Sequence, residues 1–435
     1  MQTFKISSDL IREIEGIPPS IPLVYEHVFS RAFGDYQKCI TLLKELIPVL
    51  QEQSRYFSIE RLNSDNNSNY NNFKIYADSG LDILDPRANC INLNCRIEAS
   101  NRLAKSLGLI ADKFYITDHI TDSLCNNNSF NDNEIVALLD NYTIIYNLMP
   151  LVIKGIIQFN EAVRPICISC LKNFEEEVDD ITDNLYSKFR NCFTLEPMGN
   201  RNFAIHTEDL FNPPVVLRVE KKHKKWRKKI DWEDQYRYII RSEVRKSLWT
   251  GSMAGKNLGS VFTNSSAGIA AVLHKEGKFS SAGPKNIFDQ KREFSIPWVN
   301  DLDILQIIEL REEAHRAFPL FREKISYHLT GFGNTESPEN IINELKYESK
   351  QVTNELDIIA KKSVSFWKKP FNLMSLGVAA VSIAVDQPLG AATGLLPLLQ
   401  YLGDHRHEKH SEEESIKSKP GYVLVKAAQI LKHAH

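Results

Sequence analysis

Residues Phe203–Glu220 read FAIHTEDLFNPPVVLRVE. Two runs rich in β-branched and aromatic side chains flank Asn212–Pro214, a turn-forming tripeptide whose prolines cannot donate to a strand ladder. The pattern predicts a hairpin or short antiparallel sheet in the middle third of the chain. Outward from it, apolar spacing is helical. Downstream, Tyr236, Ile240, Val244 and Leu248 recur every four residues from Trp232 onward, and Gly251 to Gly268 reads as a Gly/Ser-rich connection. Asn300, Asp301 and Asp303 supply caps and first-turn acids for a helix carrying Leu302, Leu305, Ile308, Leu310 and Ala314, which Pro319 should kink or end. Ser337-Pro338 is a further N-cap and N1 pair, opening a helix of about 25 residues through Ile341, Leu345, Val352, Leu356 and Ile359. These two helices are expected to pair as an antiparallel hairpin.

Upstream, Ile40, Leu43, Leu46, Ile47 and Leu50 mark a small helical unit. Two amide-rich tracts, Asn63–Asn72 and the CNNNSFNDN stretch from Cys125, are composed of residues that prefer turns and caps, and read as surface loops. The second divides a helix with Leu103, Leu107 and Ile110 from a longer one over 132–157. The expected fold is therefore a helix-dominated α+β chain, with a small antiparallel sheet in the middle third and a C-terminal apolar helical hairpin. Its expected divisions are a helical N-terminal unit at 1–62, a mixed α/β region at 74–230, a helical region at 231–363, and the apolar hairpin with its polar tail at 364–435.

The chain's 435 residues are 43% hydrophobic and 25% charged, which excludes wholesale disorder, collagen-like and disulfide-scaffold classes. A net charge of −2 excludes a uniformly basic nucleic-acid packager. That sum conceals a basic segment: Arg218 to Lys256 holds thirteen Lys/Arg and five Asp/Glu, a local +8 on a body summing to −10. Seven cysteines without framework spacing fit a reducing, cytoplasmic setting, and the first residues lack the apolar core of a signal peptide.

Four features carry candidate chemistry. The segment VEKKHKKWRKK, with Lys221, Lys222, Lys224, Lys225, Trp226, Arg227, Lys228 and Lys229, feeds a helix on which Arg237, Arg241 and Arg245 fall on one face. Basic groups around an indole form the footprint of polyanion contact, nucleic acid or an anionic surface; the bland reading is a solvated loop paired to acids such as Glu233. Second, Asp209 precedes an apolar strand closed by Glu220-Lys221-Lys222. This resembles the PD-(D/E)xK nuclease pattern, which implies Asp209 and Glu220 as Mg²⁺ ligands and Lys222 as the residue orienting the attacking water. Asp209 follows Glu208 rather than a proline, and a hairpin with charged ends is the plain alternative.

Third, Cys90 with Cys95 and Cys167 with Cys170 form C-x4-C and C-x2-C pairs, which would close a structural Zn²⁺ site if the fold joins them; buried core thiols are the alternative. A redox role for Cys167 and Cys170 is disfavoured, because no strand-helix-strand pattern surrounds them. Fourth, Pro370 to Gly403 holds a single charge, Asp386, between arms of about 15 residues, each near 22 Å as helix and short of the roughly 30 Å of a bilayer core. It reads as a buried helix pair or as a hairpin docking to a partner or membrane, flanked by Trp367, Lys368 and Lys369.

Weaker signals read as structure. Gly251 to Asn257 mimics a phosphate loop but is one residue short and ends in Asn, so it reads as a flexible turn. His405, His407 and His410 lie in a polar linker, and the acidic stretch Glu175 to Asn184 reads as a solvated helix face. The function these features support is an interaction or effector protein that contacts a polyanion through the basic loop and arginine stripe, and a partner or membrane through the apolar hairpin. The alternatives are the Mg²⁺-dependent nuclease and a zinc-stabilised binding protein; no small-molecule cofactor is evident.

Overall fold

A computed structural model of the chain describes residues 8–14, 16–32, 34–63, 73–85, 92–161, 166–191, 193–199, 202–207, 211–218, 232–257, 259–263, 265, 267, 268, 271, 299, 301–322, 347–352, 381, 382 and 417–433. In chain order these form α1 (Ser8–Arg12), α2 (Ser20–Val24), α3 (Ser30–Ala32), α4 (Tyr36–Asn63), β1 (Lys74–Asp78), α5 (Leu93–Ile110), β2 (Lys113–Thr117), α6 (His119–Asn126), α7 (Asp132–Asn147), α8 (Met149–Ile153) and β3 (Ile157–Asn160). There follow α9 (Ile168–Phe189), β4 (Thr194–Gly199), β5 (Asn202–Thr207), β6 (Phe211–Arg218), α10 (Trp232–Lys256), β7 (Ser260–Thr263), α11 (Ile304–Glu313), β8 (Val381–Ser382) and α12 (Gly421–His433).

Helices dominate, and the antiparallel sheet of the middle third is present with strand order β4-β5-β6. Its hairpin pairs one step earlier than the sequence suggests: Thr207 pairs with Phe211, and Asn212–Pro214 lie inside β6 rather than at the turn. Two prolines are tolerated there because β6 is an edge strand, whose outward backbone needs no ladder partner.

The larger sheet is the main departure from expectation. Its order is β3-β2-β1-β7-β8; β1 runs parallel to β2 and β7, β2 runs parallel to β3, and β8 is antiparallel to β7. The strands KIYAD, KFYIT, IQFN and SVFT are short, and β1 is buried along its whole length, as a central parallel strand covered on both faces must be. Such a strand shows no alternation for a period-two reading to detect.

Two expected continuous segments break accordingly. The helix anticipated over 132–157 ends at Asn147, resumes as α8 and passes into β3. The presumed glycine-rich connection is instead the last turns of α10, which runs to Lys256, and then β7. Of the apolar C-terminal arm, Val381 and Ser382 are extended rather than helical; the remainder of 370–403 lies outside the described residues. Residues 337–346 and 353–359, and the tract 64–72, lie outside them too. Among the described residues, no helix is long and apolar enough to cross a membrane.

Caps behave as their chemistry dictates. Asn131, from the amide-rich tract, forms a reciprocal capping box with Glu134 at the start of α7, and Asp303 does the same with Gln306 for α11. One apolar cluster runs from Ile11 to Ile430. It joins α4 (Leu43, Leu50), the sheet (Ile75, Phe114, Phe262), α11 (Ile307, Leu310) and α12 (Val423, Leu424). Leu103, Leu107 and Ile110 of α5 belong to it, as their spacing predicts.

Candidate functional site

Strand order reverses between β1 and β7, because the chain fills β2 and β3 on one side of β1 before returning through α10 to the other. In open α/β sheets the loops beyond the carboxyl ends of the strands diverge at such a point and leave a crevice, the usual place for a ligand. Here that point is charged.

Asp78, the last residue of β1, is fully buried and pairs in register with Thr263 of β7. Its carboxylate accepts bonds from three hydroxyls: Ser79 at 3.1 Å, Ser247 at 2.6 Å and Thr250 at 3.4 Å, the last two from α10. The chain then turns sharply. Ser79 has φ 54°, and among the described residues it is the one non-glycine with positive φ. That conformation costs about 1–2 kcal/mol for an L-residue and is held by its surroundings. Ser79 Oγ also lies 3.1 Å from Glu243 Oε2 of α10, while its carbonyl accepts from the Asp82 amide at 3.0 Å.

The turn delivers two further carboxylates, Asp82 and Asp85, both buried. Asp82 Oδ2 meets His119 Nε2 at 3.0 Å, on the first residue of α6 just beyond β2, and Lys246 Nζ of α10 at 3.8 Å. Lys246 also bonds Asp85 at 2.5 Å. Two carboxylates thus interleave with an ammonium and an imidazole, the Lys246 and His119 side chains being 13% and 21% exposed at the rim of the site. For His119, burial alone would lower the pKa; Asp82 and then Asp85 outweigh it, and the imidazole titrates above its ordinary value. For Lys246, burial likewise opposes the charge, and Asp82, Asp78 and Asp85 more than restore it, so its pKa is raised. Beside His119, burial pushes the Asp122 carboxyl up, and Asp118 adds to it. Asp118 caps α6 through the Thr121 amide and holds Arg61 of α4 at 3.0 Å.

None of the residues nominated from sequence is among the described side chains of this network. Asp209, Glu220, Lys222 and the whole basic loop, Lys221, Lys224, Lys225, Trp226, Arg227, Lys228 and Lys229, lie outside the described residues. The arginine stripe is described and engaged. Arg237 pairs with Asp183, Arg241 with Asp179 and Glu175, and Arg245 with Glu175, so three basic positions on α10 meet three acidic ones on antiparallel α9. Glu175, Asp179 and Asp183 are therefore interhelical partners on a face that stays solvated, with the Asp179 and Asp183 side chains each 59% exposed.

Cys90 lies outside the described residues; Cys95 is exposed on α5, and Cys167 and Cys170 open α9. Among the described residues, no three His, Cys, Asp or Glu side chains are placed to hold a metal ion. The stretch ADSGLDILD, with acids at 78, 82 and 85 after an apolar run and a Ser-Gly turn, was the available sequence signal for the crevice. Lys246 was hidden within the basic segment. Comparison with protein-family models, with curated proteins and with solved structures finds no match.

Proposed function

We propose that the chain binds a small polar molecule at the carboxyl ends of β1 and β2 and moves a proton on it through His119. Asp82, Asp85 and Lys246 would hold that imidazole in place and set its charge. The observation that carries the reading is the position of Asp82, buried without exposure at the strand-order reversal and reached by His119 from one side and Lys246 from the other. Perturbed titratable groups converging in a cleft, next to a strained residue, are the usual signature of a working site. Among the described residues, four carboxylates (Asp78, Asp82, Asp85, Glu243) gather around the Lys246 ammonium and the His119 imidazole, which favours a neutral hydroxylated or cationic ligand over an anionic one.

The test is a thermal-shift screen of polyols, amines, amino acids and phosphates against the wild type and His119→Gln. The reading expects stabilisation by a neutral or cationic probe that weakens at least tenfold in His119→Gln, with NMR shifts at Asp78 to Asp85. Probes that bind with equal affinity to both proteins, or a panel without any hit, would overturn it.

A second reading keeps the polyanion as partner and is supported by the local charge of Lys221–Lys229. Since Arg237, Arg241 and Arg245 already hold acids, the loop itself must supply the contact. Binding of an oligonucleotide that weakens steeply with salt and vanishes when the loop lysines become alanine is expected; indifference to either removes the reading.

A further inference from the structure

The segment Cys167-Ile-Ser-Cys170 opens α9, a helix of 22 residues that follows β3, an edge strand of the main sheet. Sequence alone gave no sign of that strand-helix context. Cys167 is the N-cap of α9 with extended backbone, and its Sγ accepts from the Cys170 amide at 3.4 Å and lies 3.2 Å from Ser169 Oγ. Both thiols are free; Cys167 is exposed and Cys170 less so. The first turn of α9 carries no acidic residue, so nothing there opposes a negative sulfur at the positive end of the helix.

We infer that Cys167 and Cys170 form a thiol–disulfide exchange site, with Cys167 as the attacking thiolate, Cys170 as the resolving thiol and a low-molecular-weight disulfide as the co-reactant. The reaction balances without a further oxidant. Cys167 Sγ⁻ attacks one sulfur of the disulfide and forms a mixed disulfide, and the other sulfur leaves as a thiolate. Cys170, losing its proton, attacks Cys167 Sγ and expels the second thiolate. The two cysteines are oxidised by two electrons, and the small disulfide is reduced to two thiols.

Three independent features agree. Spacing places the thiols on one helical turn, where Cα atoms lie within the about 4.4–6.8 Å that a disulfide bridges. Hydrogen bonds from Ser169 and Cys170 draw the Cys167 thiol down to about 7, whereas its bond with Cys167 pushes the Cys170 thiol up; this is the division expected of attacking and resolving partners. Finally, Ile168 is 87% exposed and Leu171 37%, so each cysteine is followed along the chain by an accessible apolar side chain against which the carbon arms of a disulfide can pack.

The experiment uses the full chain, Cys170→Ser and Cys167→Ser, each treated with oxidised glutathione and digested for mass spectrometry. Wild type is expected to yield a 167–170 peptide lighter by two hydrogens, Cys170→Ser a stable glutathione adduct on Cys167, and Cys167→Ser neither. Iodoacetamide labelling should follow a midpoint near pH 7 at Cys167, below the about 8.5 of a free cysteine thiol, with N-acetylcysteine in the same buffer as reference. A glutathione adduct persisting on wild-type Cys167, a labelling midpoint equal to that of the free thiol, or stoichiometric zinc that protects both thiols would each overturn the inference. All three proteins are expected to fold alike, because both substitutions are at the surface.

Discussion

Replacing Lys246 with Met tests whether the crevice network is a buried electrostatic unit. The substitution keeps the aliphatic stem and removes the ammonium that, among the described residues, Asp82 and Asp85 share. Asp82 has no exposed side-chain area and Asp85 only 3%, so neither carboxylate can recover its hydration without movement of the β1 turn. Breaking a buried ion pair from one side costs about 3–5 kcal/mol. The lower half of that range is expected, because Lys246 is itself 13% exposed and water can follow the vacated ammonium. In a cycle with Asp85→Asn, the double variant should recover about 1.5–3 kcal/mol relative to the sum of the single changes. Urea unfolding followed by both circular dichroism and tryptophan fluorescence supplies the numbers, provided the two transitions coincide. Arg237–Asp183, on the same helix but 50% and 59% exposed, is the solvated control, with an expected coupling under about 1 kcal/mol. A Lys246–Asp85 coupling under about 0.5 kcal/mol would refute the argument, since the charges would then be screened by water and could not hold His119 in a defined state.

His119 has a folded-state pKa above its unfolded value of about 6.5, so its contribution to stability is full below that value and is lost as pH rises through the folded value. Wild type should therefore lose stability relative to His119→Gln on going from pH 6 to pH 9, and parallel pH profiles for the two proteins would contradict the pairing with Asp82. Gly268→Ala would place a Cβ 2.3 Å from Ser247 Oγ, pushing that hydroxyl off Asp78 at a cost of about 1–3 kcal/mol in thermal or urea unfolding; an unchanged midpoint would show that the backbone at 268 yields freely. Arg241→Ala loses its bonds to Glu175 and Asp179, partly exposed groups, and should cost about 0.5–1 kcal/mol at low salt and less at 1 M. A cost independent of salt would assign its role to packing.

The helices were legible because each exposes one face and buries the other over several turns. Ile40, Leu43, Ile47 and Leu50 are buried on α4, and Leu103, Leu107 and Ile110 on α5, as the three-and-four spacing demands. The antiparallel sheet was legible from its turn residues and β-branched runs, although the prolines marked an edge strand rather than the turn itself. The main sheet was not legible. Its strands have five residues or fewer, and Lys74 stands inside β1 with its ammonium bonded to the Asn257 carbonyl at 3.1 Å. A lysine in a short apolar run reads as surface, and only that distant carbonyl makes its burial tolerable.

Charge shows the same division. The sequence by itself determined the arginine stripe of α10 and the acidic stripe of α9, because helical periodicity is local. Only the tertiary structure decided that the stripes face each other, since the antiparallel packing of two helices joined through a sheet is set by contacts sixty residues apart. Asp82, His119 and Lys246 are likewise ordinary residues in their own segments. They become a site because β1 and β2 are parallel neighbours, which brings the turn after one strand beside the helix start after the other, and because α10 crosses their carboxyl ends on its way to β7.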